Sequence, residues 1–390
     1  MLYRQLIIVF LCIGINFGIH SQSLENVKIS LLTCGQGDQL YSTFGHSAVR
    51  IQDDSKAYDV VYNYGTFDFD TEGFYIKFMR GKLPYYLSQV PMNAFLREYQ
   101  YYKRSVVEQQ LNLTKEQKRS LISLLQENAL PQNKFYPYDF FFDNCSTRIR
   151  VIVEEGTDHQ VKWPTSNKDI TRRDQLWEFL TGKPWSEFGI DLVIGAKADQ
   201  EVTVEGQMFL PEYLSVHFEN GHVDDRPLVS SAQEILSYTE EQQVRMVRPF
   251  FTPHILFLIL LILEVFLWWF FKDRPTPYWL EILNKLIFLI TGIGSLIMIF
   301  LWFFTDHQAC SDNWNLIWAS PFFLVYPFIK RSKLKRIFKV ILIPGLSLAI
   351  INTLFPFLPQ VFSQYNLGLY ALLLWLLWDK MIFKKRKESV

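Results

Sequence analysis

The chain has 390 residues, 39 Lys and Arg against 39 Asp and Glu, and is 49% hydrophobic with 34 Phe, 19 Tyr and 11 Trp. A net charge of zero, with no strongly basic block before residue 250, excludes a nucleic-acid-binding domain. Residues 23–250 are mixed in composition and long enough for one substantial domain with its own core, whereas everything beyond Pro249 is strongly apolar.

Residues 1–22 open with Arg4, continue with an apolar run from Leu6 to Phe17 and end in His20, Ser21 and Gln22, the pattern of a secretory signal peptide. His46 follows Gly45 and begins the alternating stretch His46 to Ile51, which predicts a strand. Asp59 to Gly65 reads as its hairpin partner across the polar turn Gln52 to Lys56. Folding about Ser55 brings His46 opposite Tyr64 or its neighbour Asn63, either of which could hold the imidazole tautomer; Asn63 is preferred on chemical grounds. The stretch from Thr114 to Asn128, with Lys115 and Glu116 near a cap, predicts a scaffold helix.

The aromatic run Phe135 to Phe142 leads directly to Cys145 and reads either as core or as the lining of an acyl groove. Asn144 is a good N-cap, Ile149, Ile152 and Val153 form a helical apolar stripe, and Gly156 offers a C-terminal stop. Cys145 therefore falls in the first turn, where unpaired N–H groups and the macrodipole favour the thiolate. It is the candidate nucleophile and His46 its base. Loss of Cys12 with the signal peptide would leave Cys34, Cys145 and Cys310, an odd number, so at least one stays free. A bridge from Cys34 to Cys145 or Cys310 is the structural alternative. Cys34 lies on a glycine turn and is the poorer nucleophile. His159, His217 and His222 lack neighbours at metal-ligand spacing, so no zinc site is expected. Arg80, Lys82, Arg148 and Arg150 are candidates to meet a lipid phosphate, against the plainer reading of solvated charge.

The C-terminal part contains five apolar segments, residues 254–271, 283–304, 316–329, 338–358 and 367–383. The third is short and carries Pro321 and Pro327. Lys330 to Arg336 and Lys384 to Lys387 are the densest basic clusters, and the loops 305–315 and 359–366 contain no Lys or Arg. The positive-inside rule then places the C-terminus in the cytoplasm and residues 23–250 outside it. The apolar stretches Phe188 to Leu192 and Met208 to Leu214 suggest a lid over the site.

His46 in Phe44-Gly-His-Ser-Ala-Val-Arg50 and Cys145 in Asp143-Asn-Cys-Ser-Thr-Arg148, in that order, resemble the circularly permuted papain-like fold shared by lecithin:retinol acyltransferases and permuted NlpC-type amidases. Thr33 to His46, Tyr62 to Asp68, Arg80 to Leu83 and Asp143 to Cys145 are similar to the Lnb-type family of bacterial lipoprotein N-acyltransferases. Phe188 to Leu192, Met208 to Pro211 and Thr305 to His307 extend the likeness into the membrane part, with Gln36 standing where proline is expected. The resemblance implies an α+β, permuted papain-like extracytoplasmic domain followed by about five transmembrane helices, in the bacterial inner membrane with the catalytic domain in the periplasm. It implies transfer of an acyl chain from a phospholipid to the α-amine of the lipidated N-terminal cysteine of a diacylated lipoprotein. Cys145 would carry the chain as a thioester, His46 would move the protons and Asn63 would orient His46. The ester already holds an activated acyl group, so no metal or nucleotide cofactor is required. Arg80, Lys82 and Arg148 would meet the lipid phosphate, and His307 the headgroup or the incoming amine. A membrane-anchored cell-wall amidase using the same dyad and a non-catalytic membrane scaffold are the alternatives.

Overall fold

A computed structural model describes residues 24–165, 169–238 and 250–386, so the expected signal peptide and the expected junction just before residue 250 lie outside the described residues. Seven strands form one antiparallel sheet in the order β10-β5-β1-β2-β3-β4-β6. They are β1 (Val27–Cys34), β2 (His46–Asp53), β3 (Tyr58–Thr66), β4 (Pro84–Pro91), β5 (Val106–Leu111), β6 (Phe135–Pro137) and β10 (Val229–Leu236). Three two-residue strands, β7 (Val161–Lys162), β8 (His222–Val223) and β9 (Arg226–Pro227), pair separately. The N-terminal domain also contains helices α1 (Phe74–Met79), α2 (Met92–Tyr101), α3 (Lys115–Asn128), α4 (Cys145–Gly156), α5 (Arg172–Leu180), α6 (Pro184–Val193), α7 (Val204–Gln207) and α8 (Pro211–Asn220).

Strand periodicity divides the core between two faces. Ile29 and Leu31 of β1, Val49 and Ile51 of β2 and Tyr62 and Tyr64 of β3 pack with Leu121 and Leu125 of α3, Ile149, Ile152 and Val153 of α4, and Leu214 and Phe218 of α8. Leu32, Cys34, Ala48 and Val61 point the other way, onto Phe95 and Tyr99 of α2. The β2–β3 hairpin forms as expected. Its turn, Asp54–Lys56, is held by Asp53 Oδ1, which accepts hydrogen bonds from Ser55 N and Oγ.

Helix α3 begins at a reciprocal cap, Thr114 Oγ1 accepting from Gln117 N and Gln117 Oε1 from Thr114 N. Helix α4 ends at Gly156 as expected, but not because glycine takes the left-handed turn. The chain leaves the helix through Thr157 and then turns at Asp158 and His159, with φ of 52° and 57°. Gly156 is also a contact residue, because a Cβ there would sit 2.9 Å from Leu121 Cβ and 3.1 Å from its Cα. Gly156→Ala must push α3 off α4. A loss of about 1–3 kcal/mol is expected, read as a lowered thermal midpoint of the purified protein; an unchanged midpoint would show that the two helices separate freely.

Beyond residue 250 lie α9 (Pro253–Phe271), α10 (Tyr278–Phe303), α11 (Phe322–Val325), α12 (Ser332–Leu354) and α13 (Leu367–Arg386). Among the described residues three helices, α9, α10 and α12, are long and apolar enough to cross a membrane. The expected third span, 316–329, is not a continuous helix. It consists of the turn Trp314–Ile317, the four-residue α11 and the turn Tyr326–Phe328. Pro321 and Pro327 each remove an amide donor from the segment. Phe323 and Tyr326 are fully buried against Phe288 of α10, with ring centroids 5.6 and 5.2 Å apart. One face of the irregular segment is thus covered by protein, while Phe322, Val325 and Phe328 on the other face are exposed.

The segments expected to form a lid are packed instead. Met208, Leu210 and Leu214 are core residues, and α6 is wedged onto the membrane helices, Phe188 lying 5.6 Å from Phe257. Asn313 Nδ2 donates to Leu192 O (2.8 Å), Asn315 Nδ2 to Asp191 O (3.0 Å) and Gln360 Nε2 to Ile194 O (3.0 Å). Behind this wedge, Arg173 is almost fully buried between Asp191 (2.8 Å) and Asp199 (2.7 Å).

Candidate active site

Cys145 is the first residue of α4 and His46 the first of β2. Asn144 caps the helix with its side-chain oxygen, which accepts from Ser146 N (2.9 Å) and Thr147 N (3.0 Å), while its Nδ2 donates to Phe140 O and Phe209 O (both 2.8 Å). The chain entering the helix is thereby folded back on itself and tied to the segment before α8. Gly45, at φ 79°, lets the backbone pass so close to β1 that a Cβ would lie 2.7 Å from Cys34 O. The residues that follow the pair are also joined: Ser47 Oγ and Ser146 Oγ, both fully buried, lie 3.2 Å apart. This contact locks the start of β2 onto the start of α4.

The imidazole is oriented from the neighbouring strand, His46 Nε2 donating to Asn63 Oδ1 at 2.5 Å. The ladder between β2 and β3 ends at Val49–Tyr62, so continued register would put Gly65 opposite His46 and leave Asn63 as the diagonal neighbour on the same face. Tyr64 faces the other side of the sheet, where its hydroxyl accepts from Asn128 Nδ2 (2.9 Å). That decides between the two expected partners. With Nε2 held by Asn63, Nδ1 is the ring nitrogen left for the sulfur. A Cβ on Gly65 would lie 3.7 Å from Cys145 Cβ, 3.9 Å from Tyr136 Oη and 4.0 Å from His46 Cε1, so three side chains close around one point.

Electrostatics favours the charged pair. Burial alone would push the Cys145 thiol up, but the His46 charge, a hydrogen bond with His46, the Ser47 N–H and the Ser146 hydroxyl together hold it below its ordinary value. Burial likewise opposes the imidazolium, yet the Cys145 thiolate and hydrogen bonds to Cys145 and Asn63 hold His46 above its ordinary value. Cys34 behaves in the opposite way, burial pushing it up to about 12. Cys34, Cys145 and Cys310 are all free, so the expected structural alternative of a bridge does not occur.

Residues 16–173 match the family profile described as the Lnb N-terminal periplasmic domain, and residues 242–388 match the Lnb transmembrane domain. The chain belongs to the Lnb family. It is a membrane protein with a periplasmic N-terminal domain and an apolar helical domain. No curated protein and no solved structure matches it.

The cationic candidates of this Lnb chain fall into two groups. Arg148 lies on the Cys145 helix, on a recess of about 310 Å³ also lined by Tyr64, Phe142 and Asp143. Its guanidinium is engaged bidentately by Asp143 (2.6 and 2.7 Å) and stacks 3.7 Å over the Tyr136 ring. Arg150 pairs with Glu154 one turn on. Arg80, Lys82 and His307 gather instead where the N-terminal domain meets the end of α10. Asp306 N donates to Arg80 O (3.0 Å), Lys82 Nζ lies 3.8 Å from Asp306 Oδ2, and His307 Nε2 donates to Phe78 O (3.1 Å).

Sequence reasoning missed Ser47, Ser146 and Tyr136. The serines carry no signal beyond following His46 and Cys145. Tyr136 was hidden among seven other residues of an aromatic run, although its buried hydroxyl is bonded by the Gly65 N–H at the point where the Cys145 and His46 side chains meet.

Proposed function

We propose that this Lnb-family protein is a lipoprotein N-acyltransferase in which Cys145, His46 and Asn63 form the catalytic group. The observation that carries the reading is a helix-start thiol held low by an imidazolium whose far nitrogen is fixed by an amide oxygen. The order of His46 on a strand, then Asn63 on the next, then Cys145 at a helix start agrees with a permuted papain-like domain. We divide the chain into a signal peptide (1–22), a periplasmic catalytic domain (23–250) and a membrane domain (251–390).

The broken segment 314–329 runs beside α10 and α12, which supports a fifth crossing. Helices α9 and α13 run in the same direction, Gly368 packing on Phe257 and Trp268 on Trp375. That supports a cytoplasmic C-terminus in the inner membrane.

The thiolate attacks a phospholipid ester carbonyl, the C–O bond breaks, and the His46 imidazolium protonates the departing alkoxide, giving a Cys145 thioester and a lysophospholipid. The lipoprotein α-amine then attacks the thioester, His46 takes its proton, and the thiolate returns. Asn144 already uses the Ser146 and Thr147 N–H groups, so the oxyanion falls to the Cys145 N–H, with the Tyr136 hydroxyl as second donor. No metal or nucleotide enters this scheme.

A membrane domain with three span-length helices among the described residues supports a lipid substrate. Arg148 and the Arg80–Lys82–His307 group are the positions we assign to the headgroup and the incoming amine. The test is mass spectrometry of a diacylated lipoprotein N-terminus incubated with phospholipid and the purified protein. Gain of one acyl chain with equimolar lysophospholipid is expected. Release of free fatty acid alone, or cleavage of wall peptide instead, would overturn the reading.

The rate should be bell-shaped in pH. Its acid limb follows the lowered Cys145 thiol, below which no thiolate exists, and its alkaline limb follows the raised His46, above which no imidazolium exists. Asn63→Ala removes a hydrogen bond that raises His46, so the alkaline limb should move to lower pH while the acid limb moves less. An unmoved alkaline limb would remove Asn63 from its assigned role.

A further inference from the structure

Helix α1 is six residues long and buries none of them. Tyr75 is 78% exposed, Ile76 62%, and Phe78 and Met79 50% each. At about 100° per residue these four side chains occupy an arc of roughly 160°. Lys77 lies on the opposite side.

So short a helix does not persist alone in water. It is braced from behind, Phe74 packing 5.1 Å from Phe69 and 6.0 Å from Phe67, which in turn packs 5.4 Å from Tyr85. Tyr85 stacks on Tyr138 at 4.3 Å, on the chain that leads to Cys145. The apolar face is therefore held outward by a rigid aromatic stack.

What covers that face follows from where the helix is tied. Its last turn is bonded to the loop directly beyond α10, through His307 Nε2 to Phe78 O and Asp306 N to Arg80 O. Gly81, at φ 68°, lets the two backbones meet, since a Cβ there would lie 3.3 Å from Asp306 C and His307 N. Helix α10 is apolar enough to cross the membrane and ends at Phe303. Phe303 and Phe304 are 61% and 62% exposed. The exposed apolar face of α1 is thus tied within a few residues of the exposed apolar end of a span-length helix.

We propose that α1 is an interfacial helix, with Tyr75, Ile76, Phe78 and Met79 seated among the acyl chains of the periplasmic leaflet. Residues 68–82 carry Asp68, Asp70 and Glu72 against Lys77, Arg80 and Lys82, so the contact is apolar and needs no anionic lipid. It is independent of the acyltransferase reading.

The test uses the full chain with Cys12→Ser and Cys145→Ala, reconstituted in phosphatidylcholine vesicles with brominated acyl chains. A bimane is placed at Ile76→Cys, at Tyr75→Cys as a second site, at Ile293→Cys on α10 as the lipid reference and at Glu116→Cys on α3 as the water reference. Cys34 and Cys310 are buried and do not compete for label. Bimane at 76 and 75 should be quenched as strongly as at 293 and far more than at 116. Quenching at both sites no greater than at 116 overturns the proposal.

Discussion

Cys145→Ala is expected to lower acyl transfer by on the order of 10⁴-fold or more, the scale seen when the nucleophile of a cooperating catalytic group is removed. Alanine removes the sulfur and leaves the Asn144 cap and the Ser47–Ser146 contact intact, so folding and membrane insertion should be unchanged. The measurement is the intact mass of the lipoprotein N-terminus, together with a search for acylated Cys145 peptide in the native chain supplied with phospholipid and no acceptor. His46→Ala should cost about as much, and the double variant little more than either single one, because the two groups act in the same steps. Acyl transfer surviving in the Cys145 variant would leave the activity standing and eliminate the thioester.

Arg173→Leu is expected to have the largest effect on stability. The guanidinium satisfies Asp191 and Asp199 in a site that is almost closed to water, and its Nη2 also reaches Ile194 O and Gly195 O. Removing one side of a buried ionic group leaves carboxylates uncompensated, at a cost of about 3–5 kcal/mol. Burial already raises Asp199 above its ordinary value despite Arg173, and loss of the arginine raises it further. A carboxyl whose folded pKa lies above its unfolded one holds its proton longer in the native state, so stability falls as pH rises between the two values. The variant should accordingly be least damaged in acid and lose more towards neutrality. Thermal midpoints of native and variant protein across that range check it; parallel curves, or a loss of less than about 1 kcal/mol, would show that the two acids find other partners.

The parts legible in the sequence are those with local causes. Strand alternation and a polar turn about Ser55 sufficed for the His46 hairpin. Asn144 before an apolar stripe sufficed for the start of α4, and hence for the place of Cys145 in its first turn. The choice of Asn63 over Tyr64 needed the register, which is set by the whole sheet. Arg150–Glu154 is a one-turn helix pair that could have been read from spacing alone. Arg148 turns back to Asp143 across the cap, and Arg173 reaches 18 and 26 residues ahead, so neither partner is visible locally. Apolar content alone suggested a lid at 188–192 and 208–214. Hydrophobicity says that a segment is covered but not by what, and here the cover is membrane helix and domain core. The same ambiguity concealed α1.

Asp139 stands between the two halves of the molecule. One carboxylate oxygen accepts from Phe141 N (2.9 Å) and Phe142 N (3.1 Å), shaping the bend that ends in Cys145. The other accepts from Gln308 N (3.2 Å), on the loop beyond α10. Together with the Asn313, Asn315 and Gln360 bonds, this side chain sets the Cys145 sulfur against the membrane helices, as a plane blade is set against its sole. In the proposed reading a substrate is then selected as much by the height at which it carries its reacting atom as by its shape, and ester carbonyls and amines anchored at that height arrive already aligned.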